Sequence, residues 1–305
     1  MSTKKPSLLF MGTPEFADIA LQALIEAKYQ IIAVVTMPDR PKGRGGKITE
    51  SPVSITAKRN SIPLIKPVSK AELALATNEL NFDLIIVAAY GMIVPQNILD
   101  IPKLGAFNIH GSLLPRYRGA SPIAAAILNG DPEAGITIMK MAAEMDAGDM
   151  VAKDSLLIAD NDTTGTLTKK LARLGANLLL AALPHITDGS IKPESQNSEQ
   201  ATFCPKIGKA DGLISWEESA KTIERKIRAY NPWPSAYTIV GGKHIKITKA
   251  QVSDEKSLKP GQPSVLNRKL FIGSSDYSLE ILELQPEGKK EMTAHEFLNG
   301  KPKLS

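Results

Sequence analysis

The chain has 305 residues, 43% hydrophobic and 23% charged, with 37 Lys and Arg against 32 Asp and Glu. That balance excludes a disordered chain and a coiled coil, and the length predicts two domains, since single cores stop growing at roughly 250–300 residues. The net charge of +5 and the pI of 9.1 permit a polyanionic partner without demanding one.

Cys204 is the single cysteine, which excludes a disulfide framework and a Cys-rich zinc site and fits a reducing compartment. With Pro205 beside it and no His near it in sequence, it reads as an inert thiol. Residues 1–6 lead into an apolar run too short for a signal-peptide core. The longest apolar stretch, 84–94, falls short of the ~20 residues a membrane span needs. A cytoplasmic protein is expected.

Residues 7–11 predict a strand that breaks at Gly12-Thr13-Pro14. Phe16, Ile19, Ala20, Ala23 and Leu24 then recur at helical spacing, with Pro14 suited to an early turn. Residues 31–36, 84–89 and 105–110 predict further strands, and 136–139 another. Runs without polar alternation are what strands buried on both faces show, so a doubly wound, mostly parallel α/β sheet is expected. Such sheets bind ligands beyond the carboxyl ends of their strands. Gly12 alone follows the first strand, and a dinucleotide fingerprint needs spaced glycines, which argues against a nucleotide-dependent oxidoreductase.

After the second strand comes Asp39-Arg40-Pro41-Lys42-Gly43-Arg44-Gly45-Gly46-Lys47, four cations and one acid among three glycines. A solvated loop is the bland alternative to a mobile arm that grips phosphates. Its place at the ligand-binding edge favours the arm. A core helix is predicted over 166–183 from Leu167, Leu171, Leu174 and Leu178. Residues 190–208 have few apolar anchors and read as a linker between a domain over 1–189 and a second over 209–305. There a helix over 217–230 ends at Asn231-Pro232-Trp233-Pro234. Short runs at 236–240, 244–247, 269–272 and 279–284 then predict a small OB-like β-barrel. From Lys209 onward 16 Lys and Arg face 12 acids, so most of the net charge sits here.

The densest chemistry is 108–119. In a strand, Asn108 and His110 share a face at the carboxyl end. An amide donor beside an imidazole suits acyl transfer: one stabilises an oxyanion, the other moves a proton. A lone strand-end His is more often structural, and the neighbouring Asn and tight Gly111-Ser112 turn reduce that without settling it. Asp146, after the strand at 136–139, is either a turn former or a partner that orients His110; spacing does not decide.

Asn108, His110 and Asp146, with Ser112-Leu113-Leu114-Pro115 between them, resemble the formyltransferases that use 10-formyltetrahydrofolate. The resemblance implies a catalytic Asn–His–Asp set and 10-formyltetrahydrofolate as formyl donor. It implies folate contacts at Ser112, Leu113, Leu114 and Pro115, and backbone contacts around Tyr90, Gly91 and Met92. The chain is similar over nearly its entire length to those members whose acceptor is initiator methionyl-tRNA, which implies a role in translation initiation. Met11-Gly12-Thr13-Pro14 and Asn231-Pro232-Trp233-Pro234 match, as does the basic loop, implying tRNA contacts at Arg40, Lys42, Arg44 and Lys47. The barrel is implied to touch tRNA as well. Ala147 stands where Thr is frequent, and 142–145 vary the approach to Asp146.

No ligand cluster calls for a metal, His185, His244 and His295 being scattered, and no unexplained apolar stretch calls for an obligate partner, so a monomer is expected. A sugar-amine formyltransferase is the nearest alternative, but it has no use for the basic loop. A non-enzymatic RNA binder has no need of the Asn–His–Asp set, and the barrel region has few exposed-looking aromatics of the kind that stack bases.

Overall fold

The computed structural model describes residues 5–42, 46–254 and 258–300. In chain order the elements are β1 (Ser7–Gly12), α1 (Glu15–Glu26), β2 (Gln30–Val35), β3 (Arg40–Lys42), β4 (Lys47–Thr49), α2 (Pro52–Arg59), β5 (Leu64–Ile65), α3 (Lys70–Asn78), β6 (Leu84–Ala88), α4 (Gln96–Leu99) and β7 (Ala106–His110). There follow β8 (Arg118–Gly119), α5 (Pro122–Asn129), β9 (Glu133–Lys140), β10 (Met150–Leu157), α6 (Thr164–Asp188), β11 (Phe203–Cys204) and α7 (Ala220–Ala229). The chain closes with β12 (Ala236–Val240), β13 (Lys243–Ser253), β14 (Pro263–Leu266), β15 (Lys269–Gly273), β16 (Ser278–Pro286), β17 (Met292–Thr293) and α8 (Ala294–Asn299).

Two compact units form, neither continuous in sequence. One comprises residues 1–119, 133–156 and 168–203; the other comprises 120–132, 157–167 and 204–305. The first holds a seven-stranded sheet in the order β10-β9-β7-β6-β1-β2-β5. Strands β1, β2, β5, β6 and β7 run parallel, and β9 lies antiparallel to β7. The uninterrupted apolar strands are the central ones: every residue of β6 is buried, as are all of β1 after Ser7. Burial on both faces is what removed polar alternation from these runs. The polar-rich β10, MVAKDSLL, is an edge strand whose exposed middle hid it from an apolar search.

Local sequence explains the turns at the carboxyl edge. A Cβ at Gly12 would stand 2.5 Å from the Ala17 Cβ and 2.9 Å from the Ala88 carbonyl oxygen, so only glycine lets β1 end this close to β6. Pro14 is the N-cap of α1, with Glu15 and Asp18 complementing the helix dipole in its first turn. Thr13 Oγ1 donates to the Tyr90 carbonyl at 2.8 Å, and the Thr36 and Ser51 hydroxyls lie 3.0 Å apart. Together these bonds tie the ends of β1, β2 and β6 to the start of α2.

Gly175 in α6 has a comparable role on β7, because a Cβ there would reach Ile109 Cγ2 at 2.9 Å. Ile109 therefore faces α6, and its neighbours Asn108 and His110 face the other side of the sheet. Gly175→Ala gains about 1 kcal/mol in helix propensity but overpacks this contact by about 1–3 kcal/mol. Urea denaturation is expected to show a lowered midpoint; an unchanged or raised one would mean that Ile109 yields freely.

The second unit is an antiparallel sheet in the order β12-β13-β16-β15-β14, with β17 paired to β16. Ile223 and Ile227 of α7 enter its core with Ile247, Leu270, Leu279, Ile281 and Leu284. Helix α7 starts later than expected, at the Ser219 cap, whose hydroxyl accepts from the Thr222 amide. No helix among the described residues is long and apolar enough to cross a membrane.

Candidate active site

Strand β7 carries Asn108 and His110 to the carboxyl edge of the parallel sheet, paired to Met139 and Thr137 of β9. The Asn108 side-chain amide has no hydrogen-bond partner among the described residues, leaving its donors free. His110 is 5% exposed and lies between two oxygen acceptors. Its Nδ1 stands 3.6 Å from Asp146 Oδ1, and its Nε2 lies 3.0 Å from the Tyr117 carbonyl oxygen. A carbonyl only accepts, so the Nε2 side carries the proton in that bond. Nδ1 is thereby turned toward the Asp146 carboxylate.

Residues 111–119 wrap around this imidazole. Ser112 Oγ donates to the Arg116 carbonyl at 2.6 Å, and the Ser112 carbonyl accepts from Thr137 Oγ1 at 2.7 Å. Thr137 Oγ1 in turn accepts from the Leu114 amide at 3.1 Å. Leu114 is buried with Met139 and Met150, and Leu113 lies over Gly135, where a Cβ would meet its Cδ2 at 2.4 Å. The Leu114–Pro115 bond is cis. Thus the Ser112–Pro115 turn is anchored from β9, with the Ser112 hydroxyl spent inside the turn. Tyr117, at φ 59°, turns its carbonyl onto His110, and the Gly119 amide donates to Asp146 Oδ2 at 2.9 Å.

Asp146 lies in the connection from β9 to β10, closed by the Lys140 amide donating to Asp149 O at 2.8 Å. Its φ of 53° is left-handed, a conformation that costs a non-glycine residue about 1–2 kcal/mol and persists only where surroundings impose it. One oxygen faces His110 and the other is held by Gly119, so spacing that was undecided in sequence resolves into a meeting.

The other expected residues fall into two groups. Tyr90, Gly91 and Met92 follow β6 at the same edge of the sheet. Gly91 is exposed and Met92 half-buried, while the Tyr90 ring enters the core and its hydroxyl has no partner among the described residues. Burial pushes the Tyr90 phenol up to about 12, so it stays neutral. The basic loop is less open than its composition implies: β3 and β4 pair antiparallel, Arg40 with Thr49 and Lys42 with Lys47. Arg40 is exposed; Arg44 lies outside the described residues, as do the side chains of Lys42 and Lys47. Lys66 Nζ grips both Asp39 oxygens at 2.8 Å, and Glu50 pairs with Lys58, pinning the base of the ribbon.

Sequence reasoning missed the segment after α6. Read as linker for want of apolar anchors, residues 194–202 are anchored by polar bonds to the first unit. Glu194 and Met150 exchange backbone bonds at 2.8 Å, Ser195 Oγ donates to Asp149 Oδ1 at 2.9 Å, and Thr202 Oγ1 accepts from the Tyr117 amide at 2.9 Å. Gln196 Nε2 donates to the carbonyls of Asp146 and Gly148, each at 2.8 Å. Arg118, only 3% exposed, donates from Nε to Gln196 Oε1 at 3.0 Å. The signal available was Arg118 itself, a charge that needs a partner if buried. Gln196 carries no periodic signal at all. Among the described residues no three His, Cys, Asp or Glu side chains gather as a metal site.

Relatives and solved structures with this organisation are known. A protein named methionyl-tRNA formyltransferase from Desulfotalea psychrophila is 43% identical over 303 residues, covering 97% of this chain and 93% of its own. One of the same name from Lactobacillus delbrueckii is 44% identical over 301 residues, covering 97% and 96%. HypX from Aquifex aeolicus, solved with tetrahydrofolic acid, shares the fold at 20% identity and a TM-score of 0.69. The match covers 97% of this chain and 47% of HypX, so the chain spans about half that protein's length. WlaRD, a sugar 3N-formyl transferase, shares it at 19% identity and a TM-score of 0.68, covering 94% of this chain and 100% of WlaRD. Residues 5–183 match the formyl transferase family and residues 206–302 its C-terminal domain, and with both modules accounted for the chain belongs to the formyl transferases.

Proposed function

We propose that this formyltransferase moves the formyl group of 10-formyltetrahydrofolate to the α-amine of methionyl-tRNA, in the cytoplasm and as a monomer. The choice of acceptor rests on one observation: likeness at 43% identity runs through both modules to relatives named for it, against 19% for the sugar enzyme. The folate supplies an activated formyl carbon. Asn108, with its amide donors free, stabilises the negative charge that builds on the formyl oxygen as the amine adds. His110 takes the amine's proton as the new C–N bond forms and returns it to the folate nitrogen as the old C–N bond breaks, releasing tetrahydrofolate, while Asp146 orients the ring. Ser112, Leu113, Leu114 and Pro115 shape the donor's side of the site, and the backbone at Tyr90, Gly91 and Met92 offers it donors and acceptors. A mixture of charged tRNA, an amino-sugar nucleotide and labelled formyl donor tests the acceptor: label on the tRNA amine supports the reading, label on the sugar overturns it.

The arm gives the cations a task. Arg40, Lys42, Arg44 and Lys47 contact the acceptor stem, and the C-terminal module contacts the backbone elsewhere. Lys42→Ala and Arg44→Ala are expected to raise KM for charged tRNA about 5- to 10-fold each, an effect shrinking with added salt, with KM for folate unchanged. Equal losses for both substrates would count against a tRNA-gripping arm.

A further inference from the structure

The Asp146 turn holds a left-handed residue, so something outside it must fix its shape. The structure shows one side chain on two of its carbonyls. Gln196 Nε2 donates to Asp146 O and Gly148 O, and the other end of the same amide accepts from Arg118 Nε. Arg118 is buried, and its Nη1 lies 3.5 Å from Glu144 at the entry of the turn. The Gln196 amide meets the backbone of Asp146, whose carboxylate faces His110, and Arg118 meets Gln196.

We infer that Gln196 and Arg118 are positioning residues for formyl transfer, a clamp that keeps the Asp146 carboxylate directed at His110. The inference rests on the proposed roles of His110 and Asp146. Its chemistry is specific to a primary amide, which offers two donors and an acceptor in one plane. Arg118, donor only, fixes which end of the amide faces the turn, so both N–H groups point at the carbonyls. A glutamate at 196 offers no hydrogen to either carbonyl, and a leucine of similar size offers nothing polar.

The test uses the full-length protein and steady-state formyl transfer by Gln196→Glu and Gln196→Leu, each alone and combined with Asp146→Asn. Each single variant is expected to lose about 10- to 100-fold in kcat, with KM for both substrates within about threefold of the parent. In the Asp146→Asn background the same changes are expected to cost less than about twofold, because no carboxylate remains to be aimed. A parental kcat in Gln196→Leu overturns the clamp. So does an equal fold-loss in both backgrounds, the mark of general misfolding or of a role unconnected with Asp146. Full turnover by Asp146→Asn itself overturns the site reading, and the clamp with it; loss in Asp146→Asn with additive Gln196 effects overturns the clamp alone.

Discussion

Gly148→Ala is expected to cut kcat at least about a hundredfold in a protein that still folds. A Cβ at this position would stand 1.9 Å from the Lys140 carbonyl oxygen and 3.0 Å from its carbon, both backbone atoms of β9. Flexible side chains can move aside, but β9 is held between β7 and β10 in the sheet and cannot. The loop must therefore open, at a cost near the upper end of the ~1–3 kcal/mol typical of overpacking. A domain with about 5–15 kcal/mol of stability survives that. Catalysis does not, because the opened loop carries Asp146 off His110 and Gly148 O off Gln196. Thermal unfolding and kcat measured on one preparation check both halves. A parental kcat would show that the loop's shape is dispensable.

His110→Ala is expected to reduce formyl transfer about 10²- to 10⁴-fold, the range in which positioned acid–base groups contribute. The change also removes the His110–Tyr117 hydrogen bond, a loss of about 0.5–1.5 kcal/mol that lowers the melting temperature without unfolding the chain. Asp146→Asn keeps an acceptor for the Gly119 amide and so leaves the loop closed, which separates loss of charge from loss of shape. Turnover above about a tenth of the parent in His110→Ala would remove the imidazole from the mechanism.

The parts legible in the sequence were those whose signal is local. Strands β1 and β6 declared themselves because burial on both faces forbids polar residues anywhere along them. Asn108 and His110 were legible as a pair because strand geometry alone puts alternate residues on one face. Edge strand β10 was not legible, since one exposed face admits Lys153, Asp154 and Ser155 into the run. The stretch after α6 misled for a related reason. Few apolar residues signify few apolar contacts, and 194–202 is held by hydrogen bonds, which leave no periodic mark.

By itself the sequence determined the parallel sheet, the strand edge that carries Asn108 and His110, the motif around His110 and the concentration of positive charge toward the second module. Tertiary structure alone decided that Asp146, 36 positions beyond His110, comes within 3.6 Å of it. It also decided that the Tyr117 carbonyl meets His110, and that the Gly119 amide and the Gln196 side chain donate to Asp146. The reason is physical: the apolar pattern of a strand follows from its immediate burial, whereas a left-handed turn such as that at Asp146 is stable only through partners brought to it by the rest of the chain.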